Sequence, residues 1–161
     1  MATADQNAAV GDLVRPPVLF LASLLLGHGL EHLTTWQPFT LRGPAEMWWT
    51  VGGSCTLIGL ALVAAGIRNF ARAGTPYRSN QPVRELVTTG VHGWSRNPIY
   101  VGLFLVYWGI ATACRSPWSL ILTLPLAVFV RYGIIAREEA YLERRFGQSY
   151  RDYKARVRRW L

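Results

Sequence analysis

Residues 47–67 read MWWTVGGSCTLIGLALVAAGI and contain no Asp, Glu, Lys or Arg. A helix of about 20 apolar residues crosses the roughly 30 Å hydrocarbon core of a bilayer, so this stretch is long enough to span a membrane. Three other stretches are of similar length: residues 17–36 and 116–136, each interrupted by one charged residue, and the uncharged residues 97–114. The sequence therefore predicts an all-α fold, a polytopic membrane helix bundle with about four transmembrane helices.

The rest of the chain divides around these spans. Of its 161 residues 51% are hydrophobic and 16% are charged, which is typical of a single membrane domain. The start of the first span resembles a signal peptide, but it is too long and lacks a clear cleavage site, so we expect it to be retained. We predict one domain over residues 1–161, made of a flexible tail (1–14), two spans (17–70), a cytoplasmic loop (71–97), two spans (98–136) and a C-terminal cytoplasmic helix (137–161).

Positive charge is distributed unevenly between the two sides of this predicted bundle. Four spans place both termini and the loop after the second span on one side, and only Arg42 and Arg115 of the 17 basic residues fall on the other. The positive-inside rule makes the basic side cytoplasmic. The basic residues that give the net charge of +8 then lie next to anionic lipid headgroups. Because the sequence also contains no nucleic-acid-binding motif, membrane lipids are the predicted partners. With 16 Arg and one Lys, the composition favours a GC-rich bacterium and hence an inner-membrane location.

The C-terminal residues repeat apolar side chains at helical spacing. The interval is three or four residues throughout, which places them on one face of an otherwise basic helix. This pattern is typical of an amphipathic helix on the membrane surface, and equally of a lid over an active site. Gly147 is a possible break between two helices. The apolar residues are Leu142, Phe146, Tyr150, Tyr153, Val157 and Trp160.

The first span carries the string His28-Gly29-Leu30-Glu31-His32, whose spacing is that of inverted zinc metallopeptidases. A catalytic zinc needs a third protein ligand, and the remaining histidine, His92, is predicted on the opposite side of the membrane. We therefore predict no metal site from the sequence. We expect these side chains to pair with each other or with neighbouring helices.

A second group of candidate site residues lies at the predicted cytoplasmic ends of the third and fourth spans. We call this set the rim. Pro98 suits the first turn of a helix, so the third span should begin there, at the membrane surface. The rim consists of Leu86, Val87, His92, Arg96, Asn97, Pro98, Ile99, Tyr100, Arg137, Glu138 and Glu139.

The rim and the residues after it resemble the isoprenylcysteine carboxyl methyltransferases and, more distantly, the phospholipid N-methyltransferases. The resemblance covers roughly residues 84–158. It is carried by residues 86–102, LVTTGVHGWSRNPIYVG, by Glu138-Glu139-x-x-Leu142, and by Phe146-Gly147-x-x-Tyr150-x-x-Tyr153. Two positions depart from the family pattern, because Asn97 stands where many members have His and His92 where many have an aromatic hydroxyl.

The resemblance implies that S-adenosylmethionine is the cofactor, bound on the cytoplasmic side between the loop before the third span and the helix after the fourth. The matching positions are Leu86, Val87, His92, Asn97, Pro98, Ile99, Tyr100 and Glu138. The chemistry of the cofactor adds Arg96, which with the helix N-terminus could bind its carboxylate, and Glu139, which like Glu138 could bind its cationic end. The arginine that contacts the substrate carboxylate in the family falls near Ile134 by spacing, so Arg131 and Arg137 are the candidate catalytic residues.

The expected reaction is methylation of a lipophilic small molecule or lipid that enters from the bilayer, on a carboxylate, a thiol or an amine. An anionic acceptor needs no general base, whereas an amine would need one, for which His92 is the neutral candidate. Two alternatives remain open. One is a membrane reductase that uses a nicotinamide cofactor, and the other is a non-enzymatic subunit that binds metal or haem through His28 and His32.

Overall fold

The structure is a computed structural model that describes residues 15–75 and 84–161. The described residues form helices and no strand, which confirms the all-α class. The predicted tail (1–14) and residues 76–83 of the predicted loop lie outside the described residues. The helices are α1 (Pro16–Leu33), α2 (Ala45–Arg72), α3 (Pro98–Ala113), α4 (Pro117–Val128), α5 (Ala136–Phe146) and α6 (Gln148–Arg156), with a 3-10 turn at Gly90–Gly93 and a π-helical segment at Phe129–Ile135 between α4 and α5.

Proline and glycine set the ends of these helices. The helix α3 begins at Pro98 as predicted, because proline has no N–H to leave unpaired in a first turn. At the start of α4, the Ser116 side chain accepts a hydrogen bond from the backbone N–H of Ser119 at 3.2 Å. Gly147 adopts a positive φ of 52° and separates α5 from α6. The predicted C-terminal helix is therefore divided into two helices at Gly147, the position expected as a possible break.

Among residues 15–75 and 84–161, two helices are long and apolar enough to cross a membrane. They are α2, with 28 residues and a mean hydropathy of 1.8, and the continuous helix Pro117–Phe146, with 30 residues and a mean hydropathy of 1.9. The other two predicted spans form shorter helices, since α1 has 18 residues and α3 has 16. The count of four transmembrane helices stays a prediction.

The apolar side chains of the long helices point outward. Only 17% and 28% of the most apolar stretches of these helices are buried inside the protein, whereas a core helix of a water-soluble protein is mostly buried. Leu57 and Ile58 of α2 are 69% and 61% exposed, and Leu124 of α4 is 71% exposed. An exposed apolar surface of this extent suits contact with lipid, as in a membrane protein.

The helices α2 and α3 pack backbone against backbone. Glycines recur every seven residues on both helices, at Gly52, Gly59 and Gly66 of α2 and at Gly102 and Gly109 of α3. A Cβ atom at Gly59 would lie 2.7 Å from the carbonyl oxygen of Gly102, and one at Gly102 would lie 2.7 Å from that of Gly59. Only glycine permits this approach, which fixes the register of the two helices.

The bundle has two ends, and hydrogen bonds between loops and helices define each of them. At one end, which we call the distal end, the loop after α1 meets the start of α4, because Trp118 Nε1 donates to Thr34 Oγ1 at 3.2 Å. At the other end Asn69 of α2 donates to the backbone oxygen of Thr89 at 2.8 Å, next to the rim. The 16 residues of α3 separate the two ends by about 24 Å.

Candidate functional site

The first contact of the rim joins the N-terminus of α3 to α5. The hydroxyl of Tyr100 donates a hydrogen bond to Glu138 Oε1 at 3.0 Å. Tyr100 is 8% exposed and belongs to the buried core cluster that also contains Phe104 and Tyr107. A rigid core residue therefore orients one of the two adjacent glutamates.

The second glutamate is held between two arginines. Glu139 Oε1 accepts hydrogen bonds from Arg96 at 2.8 Å and 3.3 Å, while Arg159 reaches Glu139 Oε1 at 3.0 Å and Oε2 at 2.8 Å. The side chains of Arg96, Glu139 and Arg159 are 8%, 12% and 28% exposed. The hydrogen bond to Glu139 raises the pKa of Arg159. This cluster carries one net positive charge and satisfies the glutamate fully.

Arg96 also binds the C-terminal residues 157–160, which we call the strap. Its Nη1 donates to the backbone oxygens of Lys154 at 3.1 Å and Val157 at 2.9 Å, and its backbone N–H donates to the oxygen of Arg158 at 2.9 Å. Asn97 Nδ2 donates to the backbone oxygen of Arg159 at 3.0 Å. Arg96, which was expected to bind a cofactor carboxylate, is therefore bonded to the chain's own C-terminal residues, and so is Asn97.

His92 lies inside the protein next to the rim. The residue is 4% exposed, its ring packs edge-on against Phe70, and its Nδ1 lies 3.4 Å from Asn69 Nδ2. Its backbone oxygen accepts a hydrogen bond from the Tyr153 hydroxyl at 2.7 Å. Burial lowers the pKa of His92 from 6.5 to about 4, because the charged imidazolium is desolvated there. The imidazole is neutral at physiological pH and is a weak base.

Two tyrosines of α6 anchor this helix under the strap. Tyr150 and Tyr153 are 1% and 3% exposed, with ring centroids 6.2 Å apart. Burial raises the pKa of Tyr150 to about 12 and also raises the pKa of Tyr153. Both hydroxyls stay protonated. The apolar periodicity of the C-terminal residues therefore corresponds to packing against the protein at these two positions.

The remaining rim residues are divided between the core and the surface. Pro98 and Val87 are buried, Leu86 is half-buried, and the Ile99 side chain packs against Gly66 of α2. Arg137 is exposed on α5. The structure thus brings Arg96, Asn97, Tyr100, Glu138 and Glu139 together, and directs Ile99 towards another helix.

Arg131 lies in the π-helical segment that directly precedes α5. It is half-buried, and its guanidinium lies 4.9 Å from the centroid of the Tyr132 ring. The segment begins four residues after Pro125, which removes one backbone hydrogen bond inside the helix. A π-helical turn within an α-helix frequently marks a functional site, which is compatible with a role for Arg131.

The distal end contains the other polar string and a small cavity. Glu31 Oε1 accepts hydrogen bonds from Ser116 Oγ at 3.0 Å and from the backbone N–H of Trp118 at 2.9 Å, so it caps α4. The cavity of about 300 Å³ is lined by Glu31, Gln37, Phe39, Thr40, Leu41, Cys114, Arg115 and Pro117. It lies a full helix length away from the rim and is not part of the predicted site.

Three features of the structure were not predicted from the sequence: Arg159, the strap and the glycine register. Arg159 sits in the run Arg156-Val157-Arg158-Arg159, where composition does not distinguish one arginine from the next. Its partner Glu139 is 20 residues away, and Arg96 is 43 residues from Glu139, so no local pattern connects them. The seven-residue glycine spacing, in contrast, is visible in the sequence.

An apolar helical bundle with a polar, charge-paired cluster at one end is typical of a membrane protein. The family model described as phospholipid methyltransferase matches residues 47–149. This match covers well over half of the chain and includes both the N-terminus of α3 and the paired glutamates. The chain therefore belongs to the phospholipid methyltransferase family.

Curated relatives carry a more specific name. The chain is 34% identical over 162 residues to protein-S-isoprenylcysteine O-methyltransferase of Rattus norvegicus, a match that covers 88% of this chain and 55% of the relative. The same-named protein of Homo sapiens is 34% identical over 161 residues with the same coverage, and that of Dictyostelium discoideum is 29% identical over 170 residues, covering 90% and 66%. The chain spans about half the length of the mammalian relatives. No solved structure matches it significantly.

Proposed function

We propose that this chain is an S-adenosylmethionine-dependent methyltransferase that methylates a lipophilic acceptor entering from the bilayer. The observation that carries the proposal is the family match over residues 47–149, which includes the Tyr100–Glu138 pair and the clustered Glu139. The relatives named O-methyltransferase of an isoprenylcysteine support an acceptor with an apolar chain. The lipid-facing surface of α2 and α4 supports delivery of that acceptor through the membrane.

The rim offers groups suited to adenosylmethionine, which carries a sulfonium, an amine, a carboxylate and an adenine ring. Glu138 provides an acidic group at the membrane boundary, oriented by Tyr100. Trp94 is 75% exposed beside the 3-10 turn and offers an aromatic face for adenine. We assign Leu86, Val87, His92 and residues 97–100 to the walls of this site, and Arg96 and Glu139 to the frame that fixes the position of α3 against α5.

Bound adenosylmethionine would supply an electrophilic methyl group. The chain would position an anionic acceptor against it, with Arg131 or Arg137 binding the acceptor's charged group. Because a methyl transfer from a sulfonium to an anion cancels charge, a site that excludes water favours it. The apolar helix around Arg131 supports this environment.

The state of His92 favours an anionic acceptor over an amine. An amine must lose a proton to form the methylated product, which calls for a general base whose pKa lies near the working pH. The buried His92 ring, with a pKa near 4, is poorly matched to that task. A carboxylate or a thiolate needs no base. We therefore propose an acidic lipophilic acceptor, and a carboxylate first because the relatives are O-methyltransferases.

The test is transfer of tritiated methyl from adenosylmethionine into a membrane lipid extract by the full chain in detergent. We expect labelled lipid that releases volatile tritiated methanol in mild alkali, as methyl esters do. Label that is stable to alkali would replace the carboxylate by a thiol or an amine. The absence of any label above that obtained without the protein would contradict the proposed activity.

We further propose that both termini face the cytoplasm in a bacterial inner membrane. The distribution of the basic residues supports this orientation, since only Arg42 and Arg115 lie at the distal end. Reporter fusions after Ala73 and at the C-terminus should both report a cytoplasmic location. A periplasmic signal from either fusion would contradict the orientation.

A further inference from the structure

Two histidines on the last turns of α1 direct their side chains towards one point. His28 and His32 are one helical turn apart and both are exposed. Their Nε2 atoms are 3.4 Å apart, and their rings are nearly perpendicular, at 85°, with centroids 4.8 Å apart. The nitrogen atoms are closer together than the ring centres. The two imidazoles therefore converge through their nitrogens.

Glu31, which lies between these histidines in the sequence, points elsewhere. Its carboxylate caps the start of α4 through Ser116 and Trp118. Within residues 15–75 and 84–161, no group of three His, Cys, Asp or Glu side chains is placed to hold a metal ion. A catalytic zinc site built on the whole string is therefore not formed, and the two imidazoles are left as a separate pair.

The separation of the two nitrogens matches an edge of a tetrahedral zinc site. Zinc–nitrogen bonds are about 2.0–2.1 Å long, so two ligands at a tetrahedral angle lie about 3.3–3.4 Å apart. Two ligands at a right angle, as in square-planar or octahedral geometry, would lie about 2.9 Å apart. The observed 3.4 Å agrees with the tetrahedral value. The sequence spacing alone left metal binding by these two residues as an open alternative, and the positions of the two nitrogen atoms favour it.

We infer that His28 and His32 form a two-histidine binding site for Zn²⁺ on the exposed face of α1, with water in the remaining positions. In the metal-free protein one Nε2–H donates to the other nitrogen. When the metal ion binds, the donor ring moves its proton from Nε2 to Nδ1, so both Nε2 lone pairs bind the ion as neutral ligands. The site lies at the distal end, about one helix length from the rim, and is independent of the proposed methyl transfer. Binding should stabilise the last turns of α1, whose Glu31 anchors the start of α4.

Zinc chloride titrated calorimetrically into the full chain in detergent, with any affinity tag removed, tests this inference. We expect one saturable site, and at least about tenfold weaker binding in His28→Asn and in His32→Asn, because a chelate loses its second ligand in each. Glu31→Gln is the matched control and should bind Zn²⁺ like the parent. Melting in the presence of a chelator establishes that each variant is folded.

Substitution with Co²⁺ gives an independent readout, since a tetrahedral Co²⁺ site absorbs strongly in the visible range and an octahedral one does not. We expect the tetrahedral spectrum in the parent and in Glu31→Gln, and its loss in the double variant His28→Asn with His32→Asn. The inference is overturned if the double variant binds Zn²⁺ as tightly as the parent. It is equally overturned if Glu31→Gln abolishes binding, which would restore the three-residue string.

Discussion

Replacing Arg96 with alanine should destabilise the protein strongly. The Arg96 side chain is 8% exposed, and its guanidinium makes four hydrogen bonds, two to Glu139 and one each to the backbone oxygens of Lys154 and Val157. Removing one partner of a buried ion pair typically costs about 3–5 kcal/mol. Arg159 still neutralises Glu139 in this variant, so we expect the lower end of that range, about 3 kcal/mol.

Two further substitutions grade the effect. Arg159 is 28% exposed, and its loss leaves Glu139 paired with Arg96, so Arg159→Ala should cost about 1–2 kcal/mol. Lys154→Ala is the matched control because it keeps the backbone oxygen that Arg96 binds. This substitution removes only the surface ion pair between Lys154 and Glu143, whose side chains are 43% and 35% exposed. It should cost less than about 1 kcal/mol.

Thermal unfolding in detergent, followed by circular dichroism, measures the series. At about 2–4 °C per kcal/mol for a chain of this size, Arg96→Ala should lower Tm by about 6–12 °C and Lys154→Ala by less than about 4 °C. Arg96→Lys should resemble Arg96→Ala, since an ammonium cannot form the planar fork. If Arg96→Ala melts within about 2 °C of Lys154→Ala, Arg96 does not hold the strap and the cluster has been assigned the wrong role.

Three other predictions follow from particular residues. Glu138→Ala should weaken adenosylmethionine binding about tenfold or more, measured by calorimetry, because it loses about 1.5–3 kcal/mol of charge-assisted hydrogen bonding. Since the pKa of His92 falls from 6.5 to about 4 on folding, its contribution to stability is complete above pH 6.5 and is lost as the pH falls towards 4. The loss at pH 5 is about 2 kcal/mol, so Tm should fall less between pH 7 and pH 5 in His92→Gln than in the parent. Gly59→Ala should cost about 1–3 kcal/mol in melting experiments, whereas Gly53→Ala, whose Cβ would meet nothing within 4 Å, should not destabilise.

The parts of the fold that could be predicted are those set by local chemistry. Pro98 begins a helix because its ring suits a first turn, and Gly147 separates two helices because it tolerates a positive φ. The apolar runs predicted the positions of the four long helices in the described residues, which are α1, α2, α3 and the helix that begins at Pro117. The exact lengths were less predictable, since the helix from Pro117 continues past the predicted end of the fourth span at residue 136 to Phe146. Nothing in the polarity of residues 137–146 indicates that the helix is uninterrupted.

The parts that could not be predicted depend on contacts between distant residues. The sequence predicts Arg96 and Glu139 at one membrane depth, but it does not predict that they bind each other, because 43 residues separate them. The free energy of pairing two charges depends on their distance and burial, and neither is encoded locally. For the same reason the sequence placed Glu31 in a metal-site pattern, whereas in the structure its carboxylate caps α4 through Trp118.

Calorimetric titration of the full chain in detergent with adenosylmethionine, in parallel with NADPH, tests the central proposal most directly. The proposal predicts saturable binding of adenosylmethionine, weakened about tenfold or more by Glu138→Ala and unchanged by the double variant His28→Asn with His32→Asn. NADPH should give no saturable heat. Binding of NADPH without binding of adenosylmethionine, or adenosylmethionine binding that depends on His28 and His32 but not on Glu138, would contradict a cofactor site at the rim.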